Sequence, residues 1–452
     1  MSERLGVIVL AAGMGTRMKS RLHKVLHPIC GVAMGEHVIE AARSLEPHVI
    51  AVVVGHQHED VRAAFSAPDV TFVHQTELNG TGDAVLRCRE ALADCDEVMV
   101  LNGDCPLITP VLLGELRTAR LLRPLAFATA FVEEPGGLGR VLRNGNGDPC
   151  EIVEAADYEG PDGAAEINAG QYVFEASWLW QTLPVVPVSA KGEYYLTHLV
   201  AAAARLGMPG ATVVAEPEEI LGVDDRLRLA AAEAVMRRRI LDRHMLAGVT
   251  IRDPQTTYID ASVELEADVT ILPNSFLMGR SVVATGATIG PGTTLRNATV
   301  GEGSAIQQSV IEESAIGARC SVGPFAHVRG GATIEDDCQL GNYAEVKNSH
   351  LHPGVKMHHF SYMGDADVGA RANIAAGSIT CNYDGEQKHR TVIGEDAFIG
   401  CDTMLVAPVT IGAHAFTATG SVVTRDVGPG ETVAGVPAKP FTRQSKPEAE
   451  PS

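Results

Sequence analysis

The apolar run Leu5–Leu10 leads directly into Ala11-Ala12-Gly13-Met14-Gly15-Thr16-Arg17-Met18. Glycines at 13 and 15 let the backbone approach a ligand closely and take positive φ. The amides of such a turn, with a helix N-terminus behind it, cradle phosphate oxygens. Arg17 adds a planar fork and Lys24 a point charge, both suited to a polyphosphate. The spacing is neither the dinucleotide-binding G-x-G-x-x-G nor the P-loop G-x-x-x-x-G-K-[ST], so the turn alone indicates an anion site without naming the anion. Asp104 ends the apolar run Val98–Leu101, where a carboxylate either takes a hard cation such as Mg²⁺ or forms a turn. His358-His359 supplies imidazole, a group that titrates near neutrality and can abstract a proton. Taken alone, such a pair is more commonly a structural or surface feature, and no third ligand at metal spacing stands beside it.

The whole chain narrows the choice. Its 452 residues carry Lys+Arg 36 against Asp+Glu 56, a net charge of −20. A chain this acidic is a poor binder of phosphate backbones, which argues against a nucleic-acid partner. Any phosphorylated ligand must be held by a few local cations and backbone amides. The length predicts about two to four domains. Hydrophobic residues make up 45%, ample for real cores, while aromatics at 5% leave few rings for stacking bases. The nine cysteines include no Cys-x-x-Cys pair, which excludes zinc ribbons and dithiol redox motifs. No apolar run approaches the ~18 residues of a membrane span, and the N-terminus shows no apolar signal region. These features predict a cytoplasmic protein with reduced thiols and no membrane partner.

Two patterns divide the sequence. Up to residue 225, strand-like runs at Leu5–Leu10, Val49–Val54, Val70–His74, Val98–Leu101 and Leu125–Phe131 alternate with helical segments at Gly35–Ser44, His58–Phe65 and Asp83–Leu92. This alternation predicts a Rossmann-like α/β domain with a mostly parallel sheet over 1–225. An Ala/Arg/Leu-rich stretch, Arg226–Leu246, reads as a linker helix stopped by Gly248, giving a linker over 226–248. From Tyr258 the period becomes six: Ile259, Leu265, Ile271, Leu277, Val283, Ile289 and Leu295 stand six apart, and the rhythm continues with slips through Ile374. Thr380–Arg390 interrupts it before Ile393, Ile399, Leu405 and Ile411 resume. A small residue often follows four places after the aliphatic one. A sandwich would alternate with period two and turn every 8–12 residues. A sustained hexapeptide predicts a parallel β-helix over 249–441. The Pro/Glu/Lys/Ser-rich end, 442–452, reads as a disordered tail.

The string Leu-Ala-Ala-Gly-x-Gly-Thr-Arg-Met with Lys24-Val25-Leu26 resembles the signature of sugar-1-phosphate nucleotidyltransferases. Further matches follow in that family's order: Gln75 with Gly80-Thr81-Gly82, Gly103-Asp104, Gly139-Arg140, Glu154, Glu166-Ile167-Asn168 and Lys191-Gly192-Glu193-Tyr194-Tyr195. Joined to hexapeptide repeats, the chain from Leu5 to about Val427 resembles the bacterial bifunctional N-acetylglucosamine-1-phosphate uridylyltransferases/glucosamine-1-phosphate N-acetyltransferases. That resemblance implies a left-handed β-helix and two reactions. Acetyl passes from acetyl-CoA to glucosamine-1-phosphate, then uridylyl passes from UTP to the product, releasing pyrophosphate and supplying peptidoglycan and lipopolysaccharide precursors.

The resemblance also implies roles. Leu10, Ala11, Gly13, Gln75, Gly80 and Thr81 would bind UTP, with Gln75 suited to a pyrimidine edge, while Arg17 and Lys24 would hold its triphosphate. Gly139, Glu154 and Asn168 would bind the acetylated sugar. Asp104 would bind Mg²⁺, and so would Asp224, which stands in Gly222-Val223-Asp224 where the family has Gly-Val-Asn. In the acetyltransferase part His359 would be the general base. Arg329, Lys347, Tyr362 and Asn373 would bind glucosamine-1-phosphate, and Glu345 would support the site through Asn382. Ala376, Asn382, Tyr383, Cys401 and Thr419 would meet acetyl-CoA, an amide near Ala376 receiving the oxyanion and Lys388 serving the coenzyme's phosphates. A thioester needs no covalent acetyl-enzyme, so Cys381 and Cys401 are not nucleophiles.

Ala375, Cys401 and Thr419 replace the family's usual Gly, Ser and Ala, and near Gly435-Val436-Pro437 the family often has a basic residue that contacts coenzyme A. Two other readings remain beside this one: a single-activity nucleotidyltransferase with a regulatory β-helix, and a non-enzymatic interaction subunit. The flat sides of a triangular prism, together with the resemblance, predict a homotrimer whose acetyl-transfer sites span chains.

Overall fold

The computed structural model describes residues 3–55, 58–77, 79–161, 163–189 and 192–441. Lys191 and the expected tail 442–452 lie outside the described residues. The chain divides into two compact units between Met236 and Arg237.

In the first unit, runs such as Val49–Val54 are apolar throughout because a parallel strand packed on both faces has no solvent side. The described sheet runs in the order Ala211–Val214, Leu125–Val132, Ala165–Glu175, Glu97–Asn102, Leu5–Ala11, Val49–Val54, Val70–His74. Only Ala165–Glu175 runs antiparallel to its neighbours along this path. A hairpin, Arg140–Arg143 with Pro149–Val153, branches from it through Ile167 and Arg140. Stacked rings of Phe127, Tyr172, Phe174 and Trp178 thread the core beneath. Leu5–Ala11 sits where the strand order reverses, and in open α/β sheets the ligand crevice lies at the carboxyl ends of the strands at that point.

Two of the expected helices form at Met34–Arg43 and His58–Ala64, within a residue of their expected bounds. The third differs. It spans Thr81–Arg87, so it starts two residues early and stops five short of Leu92. Gly80, at φ 100°, turns the chain into it, and the Gly82 amide is taken by the Tyr194 carbonyl at 2.8 Å. The helix Arg226–Leu246 ends in a left-handed cap: Gly248, at φ 98°, donates to Met245 O, and Val249 donates to His244 O.

The second unit is a left-handed parallel β-helix. Its two- to four-residue strands stack into three sheets, each strand pairing in parallel with the one a full coil later, except that Lys439–Pro440 closes one sheet antiparallel to Thr432–Ala434. The period of six follows from this geometry. One aliphatic residue per strand points inward, and Ile271, Leu277, Val283, Ile289, Leu295 and Val300 are all fully buried. The residue four places later turns into the prism corner, where only a small side chain fits: Ser275, Ser281, Thr293 and Ser304 are fully buried. Ser275 and Ser281 donate their hydroxyls to the Leu272 and Met278 carbonyls at 2.8 Å. Asp268, Asn274 and Asn297 adopt positive φ at corners, the region that Asn and Asp tolerate best among non-glycine residues.

The interruption is shorter than the sequence indicates. Ile379–Cys381 is a regular strand paired with Met404–Val406. Thr380 is buried and its hydroxyl both donates to Gly364 O and accepts from Gly364 N, so its polarity is satisfied inside the coil. Only residues 382–390 leave the prism. Among the described residues no helix is long and apolar enough to cross a membrane, and no disulfide joins the described cysteines.

Candidate active sites

In the first unit, Gly15 adopts φ 59°, and a Cβ there would meet Lys24 Cβ at 2.6 Å. The turn therefore closes over Lys24 only as glycine. Beside it a cavity of about 210 Å³ is lined by Leu10, Ala12, Gly13, Gln75, Gly80, Thr81, Ala84 and Glu193. Ala11, at the end of the central strand, is buried behind this cavity and is not among its lining residues. The buried Gln75 amide donates to Gly80 O at 3.2 Å and to Asp83 Oδ2 at 2.8 Å, and Arg87 holds the same carboxylate oxygen at 2.9 Å. Asp83 thus fixes which end of the Gln75 amide faces the cavity. Its only mark in the sequence is an ordinary i,i+4 pairing with Arg87, and the sequence reading passed it over. Thr81 Oγ1 accepts from Leu196 N at 3.2 Å, which ties the Gly192–Leu196 segment to the cavity wall.

A second cavity of about 370 Å³ lies at the ends of the neighbouring strands. Asp104, Gly139, Glu154, Asn168 and Asp224 line it together, with Arg228 from the helix Arg226–Leu246. The branching hairpin supplies Gly139 and Glu154 from its two edges. A Cβ at Gly139 would meet Ile152 Cγ2 at 2.9 Å, so this rim also requires glycine. Thr197 orients Glu154 with a 2.8 Å hydrogen bond, and Gly170 N holds Asn168 Oδ1 at 3.1 Å.

Lys24 joins the two carboxylates. Its ammonium donates to Asp104 Oδ2 and, at 2.5 Å, to Asp224 Oδ1, while Arg17 lies 3.1 Å from Asp224 Oδ2. Val223 is buried and its amide donates to Asp104 O at 2.9 Å, which brings Asp224 to Asp104. Burial works against the charge on Lys24, but Asp104 and then Asp224 outweigh it and hold its pKa above the ordinary lysine value. Burial likewise opposes charge on Asp224, yet Lys24 and Arg17 draw its pKa below the ordinary carboxylate value. Two carboxylates converging on one cation match the hard oxygen donors Mg²⁺ prefers. Arg17 is 72% exposed against 10% for Lys24, so of these two cations it is the one open to solvent.

In the second unit, parallel stacking brings distant residues into register. Arg329 pairs with Lys347, and Glu345 with Tyr362, on one face. Lys388 and then Arg329 hold the Lys347 ammonium below the ordinary lysine value. Three cations thus gather on one surface, a charge arrangement that attracts anions. Glu345 does not reach Asn382. It accepts from Arg329 at 2.8 Å, and the Asn382 amide donates to Asp365 at 2.5 Å. Glu345 shares the strand Ala344–Lys347 with one cation, Lys347, and is held by another, Arg329, from the neighbouring strand His327–Arg329.

His359, Ala376, Cys401 and Thr419 form a column along one corner of successive coils. Gly377 N donates to Phe360 O, Asp402 N to Ala376 O and Gly420 N to Cys401 O. His358 Nε2 is engaged by Gln339 Oε1 at 2.8 Å, whereas among the described residues the exposed His359 imidazole has no hydrogen-bond partner. Asn373 lies just before this corner on the adjoining face. Asn382 and Tyr383 are not in the column. They leave the far end of Ile379–Cys381 and begin a hairpin closed by the Tyr383–Lys388 bridge. Asp384 staples that hairpin through the amides of Glu386 and Gln387 and through His389. Hydrogen bonds from Gln387, His389 and Glu386 hold its carboxyl well below the usual carboxylate range.

Residues 7–159 match the MobA-like NTP transferase domain, and 313–348 with 390–425 match the bacterial transferase hexapeptide. The chain is 43% identical to the bifunctional protein GlmU of Brevibacillus brevis, over 94% of this chain and 93% of that one. The GlmU proteins of Clavibacter sepedonicus (42%; 95% and 89% covered) and Streptococcus equi subsp. zooepidemicus (41%; 94% and 94%) are similarly close. With two separate constellations of polar residues, one in each unit, and relatives matched over nearly their full length, the chain belongs to the family of bifunctional GlmU proteins.

Proposed function

We propose that this chain carries out two successive reactions. Residues 249–441 acetylate glucosamine-1-phosphate from acetyl-CoA, and residues 1–225, continued by the linker 226–248, transfer uridylyl from UTP to the resulting N-acetylglucosamine-1-phosphate. The observation that carries the reading is the convergence of Lys24, Asp104 and Asp224 at the cavity that Glu154 and Asn168 also line in one unit, while the column at His359 stands in the other. The product, UDP-N-acetylglucosamine, feeds peptidoglycan and lipopolysaccharide synthesis, and we place the reaction in the cytoplasm.

In uridylyl transfer the sugar-phosphate oxygen attacks the α-phosphorus in line and pyrophosphate departs on the opposite side. The nucleophile is already an anion, so no strong base is required and catalysis rests on positioning and charge neutralisation. Asp104 and Asp224 would hold Mg²⁺, which when bound would supply Lewis-acid neutralisation of phosphate charge. Lys24 and Arg17 hold phosphate oxygens, Gln75 reads the pyrimidine edge, and Glu154 and Asn168 hold the sugar.

In acetyl transfer His359 accepts the proton of the sugar amine as that nitrogen attacks the thioester carbonyl. An amide near Ala376 receives the oxyanion, and the thiolate of coenzyme A leaves. Arg329, Lys347 and Lys388 gather the anionic groups, with Tyr362 and Asn373 at the sugar. Asn382 and Tyr383 lie at the opposite end of a strand from Ala376. We therefore propose a homotrimer in which the hairpin 382–390 of one chain completes the column of its neighbour. The test of function is a product assay with glucosamine-1-phosphate, acetyl-CoA, UTP and Mg²⁺, omitting each in turn. UDP-N-acetylglucosamine must require all four, and omitting UTP or Mg²⁺ must leave the acetylated sugar phosphate. Formation without acetyl-CoA would contradict the reading.

A further inference from the structure

The third face of the β-helix carries a cluster that neither reaction uses. Glu335 follows the strand Thr333–Ile334, His350 and His352 flank Leu351 one coil later, and Asp367 lies in Ala366–Val368 in the coil after that. Leu351 is fully buried, so the histidines on either side of it both face outward. Their rings stack with centroids 4.1 Å apart. His350 Nε2 lies 2.5 Å from Glu335 Oε1, and His352 Nδ1 lies 3.5 Å from the same oxygen. The other nitrogen of His352 is 3.0 Å from Asp367 Oδ1, and Arg390 donates to Asp367 Oδ2 at 3.0 Å.

We propose that Glu335, His350 and His352 bind a late first-row divalent cation of the zinc class, with Asp367 as the group that orients His352. Two imidazoles and a carboxylate form a donor set for Zn²⁺, whereas Mg²⁺ prefers oxygen alone. Their ligand atoms lie within 4.8 Å of one another. Tetrahedral coordination at ~2.1 Å places donors ~3.4 Å apart. The His352–Glu335 separation of 3.5 Å already meets this, and the 2.5 Å His350–Glu335 contact would open by ~1 Å to admit the ion. Asp367 fixes the tautomer of His352. With the Nε2 proton donated to that carboxylate, the Nδ1 lone pair faces the ion, as in carboxylate–histidine–metal arrangements. The ligands are each about one-third exposed, which leaves a coordination position open to water. The ion would clip adjacent coils on a face other than the one bearing Arg329, Lys347 and Tyr362. The set is invisible in the linear sequence because Glu335 and the histidines are fifteen and more residues apart, a spacing that means adjacency only once the coil length is known.

The test is calorimetric titration of Zn²⁺ into the chelator-treated full chain, with millimolar Mg²⁺ present to occupy the Asp104/Asp224 site. One zinc per chain is expected. His350→Gln, His352→Gln and Glu335→Gln should each weaken binding at least ~10-fold and Asp367→Asn ~10-fold, with His358→Gln as the unchanged control. Absorption-edge spectroscopy of the zinc-loaded wild type needs no substitution and should show two imidazoles in the shell. Absence of saturable binding, an all-oxygen shell, or equal binding by the His350→Gln/His352→Gln double variant would overturn the proposal and leave an ordinary surface network of histidines and acids.

Discussion

Lys24 and Asp224 are 200 residues apart in sequence and are joined by a contact of 2.5 Å. The same ammonium reaches Asp104, so one buried lysine ties the phosphate turn to both carboxylates proposed for the metal. The proposed phosphate grip and metal position would therefore be one structural unit, and disturbing either should disturb both.

Lys24→Ala leaves Asp104 and Asp224 facing each other without their shared cation. It should lower uridylyl transfer by about 10²–10³-fold, the range for losing a group that neutralises developing charge. Acetyl transfer should stay within about 2-fold, because Lys24 lies in the other unit. Chelating Mg²⁺ should reproduce this split in the wild type. Coupled assays of both products, with circular dichroism to confirm folding, check it.

The neighbours His358 and His359 should behave oppositely. His359→Ala should reduce acetyl transfer by about 10²–10⁴-fold, the usual worth of a general base. His358→Gln keeps a hydrogen-bonding partner for Gln339 and should cost less than about 10-fold. Steady-state rates with glucosamine-1-phosphate compare the two. Equal losses would remove the distinction drawn from their hydrogen bonding.

Most of this was legible in the sequence because it is periodic or contiguous. The β-helix announces itself through one inward aliphatic every six residues, and the phosphate turn is a single string. What was not legible depends on three-dimensional neighbours. Asp83 matters because a buried Gln75 amide needs an acceptor there. Glu345 accepts from Arg329, a residue of the neighbouring strand that lies 16 positions away in sequence. Arg228 and Glu233 look like ordinary helix surface in the sequence. Yet Arg228 lines the cavity of Asp104, Glu154 and Asn168, and Glu233 accepts from Cys30 N at 2.7 Å. The first turns of the helix Arg226–Leu246 therefore support the first unit as much as they link it onward.

His244 supplies a pH dependence. Burial, then the nearby Arg243 charge, pushes its pKa down to about 4 from an ordinary value of 6.5. The unfolded chain binds the proton more readily between those values, so stability is full above about pH 6.5 and falls as the pH drops toward 4. Thermal melts across pH 7 to 4 should show a decline that His244→Phe reduces. An unchanged slope in that variant would assign the dependence to other groups.

The proposed trimer predicts complementation between chains. Tyr383 is a better probe than Asn382, which is buried and anchors the hairpin to Asp365, whereas Tyr383 is 60% exposed. His359→Ala and Tyr383→Ala proteins, mixed equally with proven subunit exchange, should restore about a quarter of the acetyl-transfer sites if each site draws on two neighbouring chains. No recovery would place the whole site within one chain.

If the two sites on one chain act independently and in sequence, N-acetylglucosamine-1-phosphate is released by one and taken up by the other through solution. Mixing Asp104→Ala protein with His359→Ala protein and supplying glucosamine-1-phosphate, acetyl-CoA, UTP and Mg²⁺ tests it most directly. Neither variant alone should form UDP-N-acetylglucosamine at an appreciable rate, and the mixture should form it after a lag while N-acetylglucosamine-1-phosphate accumulates. Loss of acetylation in the folded Asp104→Ala protein, or no product from the mixture, would contradict the account.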